Sequence, residues 1–122
     1  MKNQINWFEI PVTDFDRAKK FYSDIMEWTI TDNQFGNWKM GMFPADTGRV
    51  SGAIVAGPGY VPSQQGALLY LNCNPDIAPF LARVDTAGGK VLVPKTQISP
   101  EIGYWAVILD TEGNKIAFHS QA

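Results

Sequence analysis

Residues 6–28 read NWFEIPVTDFDRAKKFYSDIMEW, and the spacing of apolar side chains changes part-way along them. At the start the pattern alternates: Phe8 and Ile10 fall on one side of an extended chain, Trp7 and Glu9 on the other. The first strand is therefore expected within INWFEIPV, with one mixed face. From Phe15 the spacing becomes helical, with Phe15, Ala18, Phe21, Tyr22 and Ile25 on one side and charged residues between them. Thr13 is the expected N-cap, and Asp16 three residues on completes a weak capping box. A strand followed by an amphipathic helix is the opening unit of a helix-on-sheet layer.

Three strands are expected next, in WTIT, GNWKMGMFP and RVSGAIVAG, with turns at Asn33–Gly36 and Asp46–Gly48. The second half repeats the order. ALLYLNC is a strand; Asn74 and Pro75 are the cap and first position of a helix whose apolar face is Ile77, Phe80, Leu81 and Val84; Gly88 and Gly89 stop it. GKVLVP, GYWAVILD and NKIAFHS are strands, with PKTQISPEI a loop and TEG a turn. The reading is a single α+β domain over residues 1–122: module one 3–57, a Gly/Pro-rich linker 58–66 and module two 67–120, each β-α-β-β-β.

A chain of 122 residues with seven Phe, four Trp and four Tyr carries enough apolar bulk for one core. Ten basic residues against twelve acidic ones are scattered without a stripe, which argues against nucleic acid as a partner. No run is long enough to cross a bilayer and no leader-like segment opens the chain, so a soluble, cytoplasmic protein without membrane contact is expected. The single cysteine, Cys73, cannot form an intrachain disulfide and is expected to be a buried small hydrophobe. Phosphate-loop and dinucleotide fingerprints are missing, one cysteine makes a zinc knuckle impossible, and one histidine with scattered acids gives no basis for a Ser/His/Asp arrangement.

The opening stretch, LLYLNC, DTAGGKVLVP and the closing DTEGNKIAFH resemble, in order and spacing, the vicinal oxygen chelate superfamily of glyoxalase, bleomycin-resistance and extradiol-dioxygenase-like proteins. The resemblance implies two β-α-β-β-β modules whose curved sheets form a cleft, often completed by dimerisation, and in its metalloenzymes a divalent ion held by His, Glu or Gln. Carried onto this chain, the ligand positions fall on Trp7, on Leu68 or Leu69, on Ala117 and around Ala53–Val55. None of these side chains binds a metal.

The candidate residues are accordingly those of a ligand cleft. Trp7, Trp38, Met40, Tyr70 and Tyr104 offer stacking and adaptable apolar contact, while Glu9 and the only histidine, His119, are the polar members and the catalytic candidates. Asp14 and Asp16 are read as helix-start residues. The expectation is a small-molecule binding protein, a homodimer, with no cofactor and no metal residues. The alternative is a lyase, isomerase or dioxygenase-like enzyme with a relocated divalent metal near Glu9 and His119.

Overall fold

The computed structural model describes residues 2–122. Strand β1 (Trp7–Pro11) leads into helix α1 (Phe15–Met26), followed by β2 (Thr31–Phe35), β3 (Trp38–Met42) and β4 (Ser51–Ala56). The second half runs β5 (Tyr70–Asn72), α2 (Ala78–Val84), β6 (Lys90–Ser99), β7 (Gly103–Leu109) and β8 (Lys115–Ser120). Each half makes its own four-stranded sheet, in the orders β1-β4-β3-β2 and β5-β8-β7-β6. In both, the first strand pairs parallel with the last, and antiparallel pairs complete the sheet. The repeated order of elements thus corresponds to a repeated topology.

The period-2 alternation of β1 sends Ile10 into the core at 1% exposure. The helix side of the first sheet adds Ile54, the second adds Leu71, Ala106, Ile108, Ile116 and Phe118, and α1 and α2 insert Ala18, Phe21, Tyr22, Ile25 and Val84 into the same cluster. One apolar core therefore serves both sheets. Burying each such large side chain stabilises the fold by roughly 1.5–3 kcal/mol before entropy is counted. The helices meet directly, where the Arg83 guanidinium donates to the Ile25 carbonyl at 2.8 and 3.0 Å.

Hydrogen bonds add a clamp at one end of the junction. Asp110 is buried and accepts from the Tyr22 hydroxyl at 2.6 Å and from the backbone N–H groups of Glu112 and Asn114. The Asn114 side chain donates to the Pro11 carbonyl at 2.7 Å and accepts from the Ser63 N–H. The DTEGN turn is thus structural: it ties β1, α1 and the linker to the second sheet.

Several boundaries differ from the sequence reading. Asp14, not Thr13, caps α1, its carboxylate accepting from the Arg17 N–H; Thr13 instead gives its N–H to Glu112. The strand expected in WTIT begins at Thr31 and runs to Phe35, because cross-strand pairing with β3 extends it to the Gly36 turn. Asn74 and Pro75 precede α2 without capping it; the helix starts at Ala78, and the Asn74 side chain accepts from the Gln121 N–H. PKTQIS is strand, not loop, since β6 pairs with β7 through three register irregularities.

Candidate functional site

Each sheet has one face on the helices and one turned away from them, here called the open face. Strand register assigns the side chains: Glu9 lies opposite Ala53, and Met42 opposite Ala53 on the other side, so Trp7, Glu9, Met40, Met42 and Trp38 share the open face of the first sheet. On the second, Tyr70 lies opposite Ala117 and His119 opposite Trp105. Ala53, Val55, Val107 and Ala117 are buried at 0–1% exposure without belonging to the shared core cluster. They floor the open faces beneath the larger side chains.

Glu9 is held on both oxygens. The Tyr60 hydroxyl donates to Oε1 at 2.6 Å and the Trp7 indole N–H to Oε2 at 3.3 Å. Its hydrogen bond to Glu9 raises the Tyr60 pKa, helped by partial burial and the Glu9 charge; Tyr60 therefore stays a donor. Beside Glu9 is a pocket of about 150 Å³, lined among others by Pro11, Val61, Leu69, Asn114 and Lys115. Further along the sheet, the Trp38 indole donates to the Pro58 carbonyl at 2.9 Å. A Cβ on Gly57 would come within 2.7 Å of Trp38, so this close contact requires glycine.

His119 is committed elsewhere. Its Nε2 lies 2.7 Å from the Ile102 carbonyl oxygen in the β6–β7 turn; a carbonyl only accepts, so Nε2 carries the proton and Nδ1 is the free nitrogen. The arrangement does not bring His119 and Glu9 together as an acid–base pair: neither hydrogen-bonds the other, and the pocket beside Glu9 does not include His119. Tyr104 is a correction. It is paired with Ser120 and Gln97, one residue out of phase with Trp105, and packs against the core on the helix side, under the Lys95 ammonium at 4.6 Å. Trp105 occupies the open-face position instead.

Trp7, Glu9, Trp38 and Met40 thus stand on one sheet, Tyr70 and His119 on the other, and Tyr104 faces away. Tyr60 and Trp105 complete the arrangement and were not singled out by pattern. Tyr60 sits in the Gly/Pro-rich linker, where periodicity gives no direction. Trp105 was legible as the neighbour of Tyr104 once the register of GYWAVILD is fixed by Ala106 and Ile108 in the core.

The Glyoxalase/Bleomycin resistance protein/Dioxygenase superfamily model matches residues 4–118. The chain belongs to this superfamily. A glyoxylase-like domain-containing protein of Didymella fabae is 33% identical over 122 positions, covering 93% of this chain and 91% of its own. Among solved structures, a glyoxalase/bleomycin resistance protein/dioxygenase domain from Frankia sp. EAN1pec has a TM-score of 0.75 at 13% identity, over 98% of both chains. TnmS3, an antibiotic binding protein from Streptomyces sp. CB03234, has a TM-score of 0.68 at 23% identity, over 99% of this chain and 98% of that one. A glyoxalase I mutant from Zea mays has a TM-score of 0.72 at 18% identity; this chain spans 45% of its length. At these identities the solved structures establish the fold.

The superfamily's metal positions can be tested against the side chains present. Trp7 uses its indole N–H on Glu9, Ala117 lies between Tyr70 and Val107, and Ala53 lies between Glu9 and Met42. Among the described residues, no three of His, Cys, Asp and Glu stand together as a metal-holding group. The residues at these positions do not fit a mononuclear metal, which needs three or four protein ligands. Cys73 offers no substitute: burial pushes its thiol up to about 12, and it is fully enclosed.

Proposed function

We propose that this superfamily member is a small-molecule binding protein whose ligand lies on the open sheet faces, without a metal. One observation carries the reading: Trp7, Trp38, Met40 and Met42 share the open face of the first sheet with a carboxylate, Glu9, that accepts from Tyr60 and Trp7. Trp7 and Trp38 remain 41% and 40% exposed, a cost in apolar hydration that a stacked ligand removes. The ligand is a flat, largely apolar molecule that presents a hydrogen-bond donor to Glu9. The exposed Phe35, Trp38 and Tyr70 further support a homodimer in which a second copy covers the open faces.

The test is a titration with 2-naphthol, which combines two fused rings with one hydroxyl donor. Saturable binding weakened at least fivefold by both Glu9→Gln and Trp38→Ala is the expected result. Binding untouched by either substitution would overturn the proposal.

A further inference from the structure

The junction between the two sheets is held unevenly. At one end Glu112, Asn114 and Asp110 sew the second sheet to β1, α1 and the linker. At the other, β5 approaches Phe8 and Ser51, and among the described residues no hydrogen bond joins β5 to the first half. What lies there is a pocket of about 200 Å³ walled by Phe8, Trp28, Phe43 and Leu71. Trp28 and Phe43 pack with ring centroids 4.8 Å apart, and Phe8 and Phe43 at 5.9 Å. Phe8, Trp28, Phe43 and Leu71 belong to the helix side of the sheets, while Tyr70 and Asn72 reach the rim from open-face positions of β5, so the pocket opens at the margin of the open faces and is distinct from the pocket beside Glu9.

Its size and chemistry select an occupant. A volume of about 150 Å³ admits one benzene ring; this pocket, at about 200 Å³, has room for one ring and a small substituent. Among the described residues no charged side chain lines it. The Ser51 hydroxyl is spent on the Phe43 carbonyl, and the Asn72 side-chain oxygen accepts from the Asn74 N–H. The Asn72 amide NH2 and the Tyr70 hydroxyl are left at the mouth, and no protein group among the described residues takes them up.

We propose that this pocket is a second ligand site, for a single-ring aromatic molecule bearing one neutral polar substituent. The ring fills the space between Phe8, Trp28 and Leu71, and the substituent meets Asn72 and Tyr70. By filling the end that lacks hydrogen bonds, the ligand stiffens the junction of the two halves.

The four tryptophans separate this site from the open faces in one experiment. Trp28 lines this pocket, whereas Trp7, Trp38 and Trp105 stand on the open faces. p-Cresol is titrated into the full chain labelled with nitrogen-15, and the indole N–H resonances are followed, with Trp28 assigned by Trp28→Phe. The expected result is a saturable shift of the Trp28 resonance with a dissociation constant below about 5 mM, suited to an eight-atom ligand. Val50 also lines the pocket; Val50→Phe, which adds bulk there, weakens the binding at least tenfold, and Asn72→Ala weakens it roughly twofold to tenfold. Shifts confined to Trp7, Trp38 and Trp105, or no saturable shift, would overturn the proposal. The wild-type pattern decides by itself, whether or not Val50→Phe folds.

Discussion

Replacing Glu112 with Gln isolates the electrostatic part of the junction. Glu112 accepts from the N–H groups of Thr13 and Asp14 at 3.0 and 2.7 Å, from Arg17 Nε and Nη2 at 2.8 and 3.2 Å, and from the Thr111 hydroxyl at 2.9 Å. Burial pushes its pKa up, but the Arg17 hydrogen bond, with those from Asp14, Thr111 and Thr13, outweighs burial and holds the carboxyl at about 2 against an ordinary 4.5. The full difference is worth at most ~3.4 kcal/mol. The Glu112 side chain is enclosed, but its partner Arg17 is 53% exposed, so solvent screening of the pair brings the expected contribution to ~1–2 kcal/mol.

The sign follows from proton counts. Between pH 2 and 4.5 the unfolded chain holds a proton on Glu112 that the folded one does not, so the contribution is complete above the unfolded pKa and is lost as pH falls. More than half of a contribution of ~1–2 kcal/mol is gone at pH 3.5. Urea unfolding of wild type and Glu112→Gln at pH 7, 5 and 3.5 measures this. The expected gap is ~1–2 kcal/mol at neutral pH, narrowing towards pH 3.5. A gap that is the same at all three values, or one that widens in acid, would refute the reasoning.

Other expectations are simpler. Tyr22→Phe removes the buried donor to Asp110, 2.6 Å away, and should destabilise by about 1–3 kcal/mol in chemical denaturation; a loss below about 0.5 kcal/mol would mean that Asp110 recruits another donor. Cys73, with its thiol pushed up to about 12, should resist a thiol reagent at pH 8 in the native protein and react on unfolding; rapid native labelling would contradict its burial. Gly57→Ala places a Cβ within 2.7 Å of Trp38 and of the Asn37 carbonyl and should lower the melting temperature while weakening 2-naphthol binding, since Trp38 must move.

Much of the fold was legible because its pattern is local. Phe8 and Ile10 at period two, then Phe15 through Ile25 at helical spacing, fix β1 and α1 without tertiary information. What escaped depends on partners distant in sequence. β2 is exposed along its whole length, so TDNQF carries no apolar alternation and owes its strand state to pairing with β3. The irregularities of β6 likewise hid its continuation through PKTQIS. At the site, Glu9 stood out as a carboxylate in an apolar strand, but its Tyr60 partner lies 51 positions away, in a linker without period. Tyr104 was misplaced for the converse reason: an aromatic on a strand reads equally well on either face until the register is known.

The central claim is ligand binding without a metal, and it is tested most directly by titrating 2-naphthol before and after exhaustive chelation, with Mn, Fe, Co, Ni, Cu and Zn quantified per chain in the same samples. The account predicts substoichiometric metal and a dissociation constant unchanged within about twofold on chelation, a difference of less than roughly 0.5 kcal/mol. Binding that disappears with the metal and returns when one divalent ion is restored would contradict it.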